Sequence, residues 1–69
     1  MSESVYKIIE LVGTSSTSWE DAAANAIKKA SQTLRDLRIA EVSAMDLHIN
    51  DGKIESYRKK LKVSFKFDG

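Results

Sequence analysis

The 69-residue sequence predicts an α+β fold of order β-α-β-β, a three-stranded antiparallel sheet folded against one helix. Three observations predict it. From Tyr57 to Phe67, apolar residues (Tyr57, Leu61, Val63, Phe65, Phe67) hold the odd positions. Arg58, Lys60, Lys62, Ser64 and Lys66 hold the even ones, and Lys59 is the one break. That alternation marks a half-buried strand, whose successive side chains point to opposite faces. The second observation is an apolar series at three- and four-residue steps, from Trp19 through Ala23, Ile27, Ala30 and Leu34 to Leu37, which is the spacing of one helix face. The third is Asn50-Asp51-Gly52-Lys53, whose Asp-Gly pair suits a tight type I′ hairpin.

The first element, Val5 to Val12, is rich in β-branched and aromatic residues and reads as a strand. Val5, Ile9 and Leu11 share one parity, and Tyr6, Ile8 and Val12 the other, so both faces are largely apolar. One helix covers only one side of a small sheet, which leaves the other side for a second subunit. Gly13 to Ser18 is a loop of small hydroxyl residues that compete with regular structure through local hydrogen bonds. Ser18 suits the N-cap of the helix, with Glu20 and Asp21 favourable to its dipole, and the apolar series carries the helix to about Leu37. Its many alanines permit close approach to the sheet.

Ala40 to Ile49 is the second strand. With Asp51 and Gly52 as the turn, Val42 faces Leu61, Ala40 faces Val63, Ala44 faces Lys59, Glu41 meets Lys62 and Met45 meets Arg58. This register puts Ala40, Val42, Leu61, Val63 and Phe65 under the helix. It leaves Ile39, Met45 and Leu47 on the outer face, where an apolar patch marks an interface or a ligand platform.

Composition bounds the function. The chain is one domain, residues 1–69, with a net charge of +1 and no cysteine. A core this small is commonly supported by a metal, disulfides or oligomerisation, and disulfides are excluded. No apolar run is long enough to cross a bilayer and the N-terminus lacks a signal-peptide pattern, so no membrane partner and a cytoplasmic location are expected. No nucleophile elbow, phosphate loop or paired-carboxylate motif is present, and the reading is a binding protein, not an enzyme. His48 has no cysteine neighbours or triad partner and reads as an exposed strand histidine. The basic row Arg58, Lys60, Lys62 and Lys66 is suited to a nucleic-acid backbone. Base stacking would need aromatics on the same face, and Tyr57, Phe65 and Phe67 lie on the other. A solvated row, partly neutralised by Glu41 and Glu55, is the favoured reading.

The run Tyr6-Lys7-Ile8-Ile9-Glu10-Leu11-Val12-Gly13-Thr14-Ser15, then Ser18-Trp19-Glu20-Asp21-Ala22, Asp51-Gly52-Lys53-Ile54 with Tyr57, and Leu61-Lys62-Val63-Ser64-Phe65 resemble the dodecin family over nearly the whole chain. The resemblance implies a dodecin-like fold and a hollow homododecamer of cubic symmetry. It also implies storage or sequestration of a flavin (riboflavin or FMN), stacked between tryptophans of neighbouring subunits near two-fold axes. The flavin positions are substituted. Ile39 stands where the family has its stacking tryptophan, two residues before Glu41-Val42. Ala44 stands where some members place a ribityl-binding Asp, Arg58 at the ring-contacting Gln, and Asp46 where bacterial members carry a phosphate-binding Arg. Trp19, at the helix start, is not the stacking residue.

The resemblance therefore implies weak flavin binding or none. Members lacking the tryptophan include some that bind calcium. Asp46 and Glu41 are the candidate ligands for such a hard cation; Asp51 is more simply a turn residue. A solvated carboxylate, or a partner for Arg58, is the alternative reading of Asp46. Ile39 and Met45 read either as buried interface or as a residual ligand platform.

Overall fold

A computed structural model describes residues 4–67. The elements are β1 (Tyr6–Ser15), α1 (Trp19–Ser31), β2 (Leu37–Asn50) and β3 (Lys53–Lys66). Both strand pairings are antiparallel, and the sheet order is β1-β3-β2. The expected β-α-β-β order and three-stranded sheet are present. All three strands run longer than expected, β1 onward through Gly13 to Ser15 and β3 back to Lys53.

Alternation along β3 sets the two faces. Leu61 and Val63 are each only 1% exposed and form the core with Ala26. Burying two such side chains contributes about 1.5–3 kcal/mol each. Ile9, Leu11, Ala23, Ile27 and Leu37 pack around them. The helix packs mainly on β1 and less on β3. Ala40 and Val42, expected under it, are exposed, because α1 leaves the β2 edge of the sheet open.

Helix α1 starts as expected. Ser18 has extended backbone and its hydroxyl accepts from the Asp21 N–H at 3.0 Å, with Glu20 and Asp21 in the first turn. Its buried line is Ala22, Ala26 and Ala30: Ala30 is as expected, while Ala22 and Ala26 replace their neighbours Ala23 and Ile27 at the centre of the contact. Small side chains let β1 come close. A Cβ on Gly13 would lie 2.0 Å from the Ala22 carbonyl oxygen, so glycine is required there. The helix ends at Ser31, six residues short of Leu37. Ser31 Oγ donates to the Lys28 carbonyl at 2.8 Å, and the backbone N–H groups of Thr33 and Leu34 both return to the Ala30 carbonyl. Those bonds close the last turn. Asp36 then takes a positive φ of 59° and redirects the chain, so Leu37 opens β2 instead of closing the helix.

The hairpin turn is as read. Asp51 and Gly52 both have positive φ, 55° and 75°, which a type I′ turn demands, and Asn50 pairs with Lys53. The expected pairs Ala40–Val63, Glu41–Lys62 and Val42–Leu61 are present. Between the turn and these pairs the register shifts twice, once between His48 and Ile49 and once between Val42 and Ala44. Bulges at Glu55 and Ser43 each insert one residue and offset each other. In the segment between them, Ala44 faces Lys60, Met45 faces Lys59, Asp46 faces Arg58 and Leu47 faces Tyr57. Met45 and Leu47 therefore lie on the helix side, not on the outer face, and Arg58 meets Asp46, not Met45.

The chain is elongated, 55 × 20 × 15 Å, with a radius of gyration of 14.3 Å. A compact domain of this length would have about 11 Å. The excess comes from the β2–β3 hairpin. The β1 ladder stops at Ser15–Tyr57, and the hairpin runs on alone to its tip. Large apolar side chains are left uncovered, Ile8, Ile39 and Ile49 each more than 60% exposed. Among the described residues no helix is long and apolar enough to cross a membrane.

Candidate functional site

The outer face of the sheet carries the candidate residues, and the two ladders order them into rows across three strands. The rows are Ile8–Ser64–Ile39, Glu10–Lys62–Glu41, Val12–Lys60–Ala44 and Thr14–Arg58–Asp46. Each middle residue belongs to β3, so the basic row of the sequence runs down the centre of the face. Opposed residues on neighbouring strands share a face and sit in side-chain contact range. Lys62 is thus flanked by two carboxylates. Glu41 was legible in the sequence as its partner; Glu10 was not, because β1 pairing could not be registered from local pattern. Its parity with Val12 and Thr14 is the signal that could have found it.

Asp46 and Arg58 make the one bidentate ion pair among the described residues. Arg58 Nε donates to Asp46 Oδ1 at 2.7 Å and Nη2 donates to Oδ2 at 2.9 Å. Both side chains are a little over two-fifths exposed. The Arg58 hydrogen bonds hold the Asp46 carboxyl below its ordinary range, helped by the charges of Arg58 and Lys60. Hydrogen bonding to Asp46 in turn raises Arg58. The backbone of Asp46 is fixed from the other side of the sheet, where Trp19 Nε1 donates to its carbonyl at 3.2 Å. The Trp19 ring meets Tyr57 edge-on, centroids 5.2 Å apart. The two bulges make all of this possible: the one at Glu55 shifts the register counted from the turn so that Asp46 comes opposite Arg58, and the one at Ser43 restores it.

The positions expected for flavin contact share the outer face but do not form one pocket. Ala44, Asp46 and Arg58 are neighbours in adjacent rows. Ile39 is six β3 residues away, at Ser64, or about 20 Å along the strand. Ile39 is 68% exposed and borders a depression of about 190 Å³ with Ile27, Leu37 and Val63. Met45, expected beside Ile39, is on the other face. Any small ring touching both Ile39 and Arg58 would need them from different subunits.

The cation candidates are likewise incomplete within one chain. Glu41 and Asp46 are two rows apart, separated by Ala44 and Lys60. Among the described residues, no three acidic or histidine side chains come together as a metal site. His48 is exposed on the hairpin, as expected, with Nδ1 3.1 Å from Glu55 Oε1. Glu55 therefore meets the histidine instead of the basic row. Tyr6, opposite Lys66, is an outer-face aromatic that the expected face assignment left out.

The dodecin family model matches residues 5–68. Calcium dodecin of Mycobacterium tuberculosis is 48% identical over 63 residues, covering 91% of this chain and 89% of the relative. Among solved structures, dodecin from Streptomyces coelicolor superposes with a TM-score of 0.95 at 38% identity, covering 100% of this chain and 99% of that one. The crystal structure of the Mycobacterium tuberculosis calcium dodecin, described as a calcium-chelating antigen with a calcium-binding site, gives 0.84 at 49% identity, covering 93% and 91%. A match of this length, in order and through every element, has one meaning: the chain belongs to the dodecin family.

Proposed function

We propose that the protein is a self-assembling binding protein, a hollow homododecamer that holds a small ligand and carries out no catalysis, with a flavin site degraded by substitution. The observation that carries this reading is the outer sheet face. It bears the residues expected at the family's site positions, with Ile39 and Ile8 exposed at one end and the charged rows at the other. A face of this kind is completed by other subunits, and closed symmetric homo-oligomers are the common solution.

Flavin binding is expected to be weak. Stacking on an aromatic ring is worth about 1–3 kcal/mol by analogy with base stacking, so isoleucine at this position costs roughly 5- to 150-fold in affinity. Arg58 is already committed to Asp46, and Ala44 offers no acceptor for ribityl hydroxyls. The test is a riboflavin fluorescence titration of the assembled protein, whose mass is first measured by native mass spectrometry. Weak or absent quenching in the parent and clear quenching in Ile39→Trp are expected. Tight stoichiometric quenching by the parent refutes the degraded site, and a monomer mass refutes the assembly.

A second reading, calcium binding, is favoured by the 48% identity to a protein named calcium dodecin. Asp46 and Glu41 are the proposed ligands. With no complete ligand set among the described residues of one chain, the remaining oxygens come from a neighbouring subunit or from backbone carbonyls. Calcium then raises the melting temperature by linkage, and Asp46→Ala removes the rise. An unchanged melting curve retires this reading.

A further inference from the structure

The two bulges of the β2–β3 hairpin cancel. Ile49–Ile54 on the turn side and Val42–Leu61 on the far side are the pairs a bulge-free hairpin makes from the same turn. Only the five pairs between them, from His48–Ser56 to Ala44–Lys60, are offset by one residue. The same flanks therefore close equally well over a second register that has no bulge. There Ser43 and Glu55 rejoin the ladder, Met45 faces Arg58, Asp46 faces Tyr57 and Ala44 faces Lys59. A slip of one residue turns every side chain of the segment over. Met45 and Leu47 would move from the helix side to the outer face, and Ala44, Asp46 and His48 would move the other way.

The bulge-free register keeps more of the ladder, so contacts in the offset segment favour the register observed. His48 Nδ1 lies 3.1 Å from Glu55 Oε1, but the bulge-free register sets these residues directly opposite, so this contact favours neither. The same holds for Ser43, whose Oγ donates to the Lys60 carbonyl at 3.2 Å and which would then face Lys60. Two features do discriminate. Leu47 sits opposite Tyr57 on the helix side. Asp46 accepts both prongs of the Arg58 guanidinium, at 2.7 and 2.9 Å. In the bulge-free register the Asp46 and Arg58 side chains point to opposite faces and cannot meet. The carboxylate would instead stand opposite Tyr57, whose ring packs edge-on against Trp19. We infer that the Asp46–Arg58 fork is the register lock of this hairpin, holding Ala44, Asp46 and His48 on the outer face and Met45 and Leu47 off it. Both are positioning residues: the fork decides which side chains the candidate site presents. The inference rests on the strand pairing and holds whichever ligand the face takes.

The chain has no cysteine, so engineered pairs read the register without background. A disulfide closes only between Cβ atoms that are near and directed toward each other. Ala44→Cys with Lys60→Cys reports the offset register. Ala44→Cys with Lys59→Cys reports the bulge-free one, because these positions share a face only there. Each pair is oxidised with glutathione disulfide in the full-length protein under native conditions, and intrachain closure is followed in time by mass spectrometry of the denatured chain. With the fork intact, the first pair is expected to close much faster than the second. Adding Asp46→Asn should speed closure of the second pair about fivefold, the scale of one exposed charge interaction lost, and leave the first no faster.

Arg58→Gln removes the same fork from the other strand and should act alike; it carries the test if Asp46→Asn fails to fold. A hairpin that is merely loosened speeds both pairs, whereas a released register speeds the second alone. Unchanged closure of the second pair in the fork variants, or equal acceleration of both pairs, overturns the lock. Closure of the second pair as fast as the first with the fork intact overturns it as well.

Discussion

Gly13→Ala tests the contact on which the fold closes. Gly13 has no positive φ to protect, so its role is space alone. An added Cβ would sit 2.0 Å from the Ala22 carbonyl oxygen, 2.9 Å from its carbonyl carbon and 2.9 Å from the Ala26 Cβ. Ordinary contact begins near 3.4 Å, so strand and helix must separate by about 1.4 Å (3.4 − 2.0) along that line. The obstacle is backbone inside a helix, which cannot rotate away. Overpacking typically costs about 1–3 kcal/mol, and an obstacle that cannot yield belongs at the upper end. A domain of this size has roughly 3–10 kcal/mol in total. A loss of about 3 kcal/mol lowers the melting temperature by roughly 12–24 °C. The assay is circular dichroism melting at fixed subunit concentration, because assembly makes the midpoint concentration-dependent. A second substitution, Ala26→Gly, should restore little, since the Ala22 carbonyl remains. A Gly13→Ala midpoint within about 3 °C of the parent would refute the reasoning.

Three further outcomes are expected. Gly52→Ala meets no atom within 4 Å but keeps a φ of 75°, so it should cost only the left-handed backbone penalty of about 1–2 kcal/mol, read in the same melting assay. Ser18→Ala removes the acceptor for the Asp21 N–H and should cost about 1 kcal/mol, seen as a melting shift of roughly 4–8 °C. The third concerns acid. The folded value of Asp46 lies below its ordinary one, so its contribution is complete above the usual carboxylate range, near pH 4, and disappears as pH falls through the lower folded value. Asp46→Asn should therefore flatten the acid limb of the stability profile below about pH 4; an unaltered limb would show that the pair does not contribute.

The sequence carried the fold wherever a local rule was sufficient. Ser18 with Glu20 and Asp21 marked the helix start, Asp51-Gly52 marked the turn, and the alternation of β3 fixed its faces. It failed where two elements compete for one residue. Leu37 continues the helical series, but strand pairing with Phe65 claims it. The bulge at Ser43 was also missed, although β2 bears its trace. Ala40, Val42 and Ala44 hold even positions and are followed there by Asp46 and His48, while the odd positions change from Glu41 and Ser43 to Met45 and Leu47. A reversal of polarity between parities means one inserted residue. An unbulged register counted from the turn sets Met45 opposite Arg58; the bulge at Glu55 replaces it with Asp46, and the one at Ser43 returns Val42 to Leu61. Glu10 beside Lys62, and the indole of Trp19 on Asp46, depend on contacts distant in sequence that no local pattern encodes.

The sheet order β1-β3-β2 also fixes when the molecule can be finished. The first strand made has only one strand neighbour, and that neighbour is the last one made; Tyr6 waits for Lys66. The β2–β3 hairpin can close as soon as its two-residue turn forms, since its ends are close in sequence. The β1 ladder must bridge most of the chain, which is the slow kind of pairing. During synthesis β1 has no strand partner until β3 leaves the ribosome. A chain stopped before Leu61 would lack the centre of its sheet, not its edge, and would keep only the alanines of α1 from its buried core.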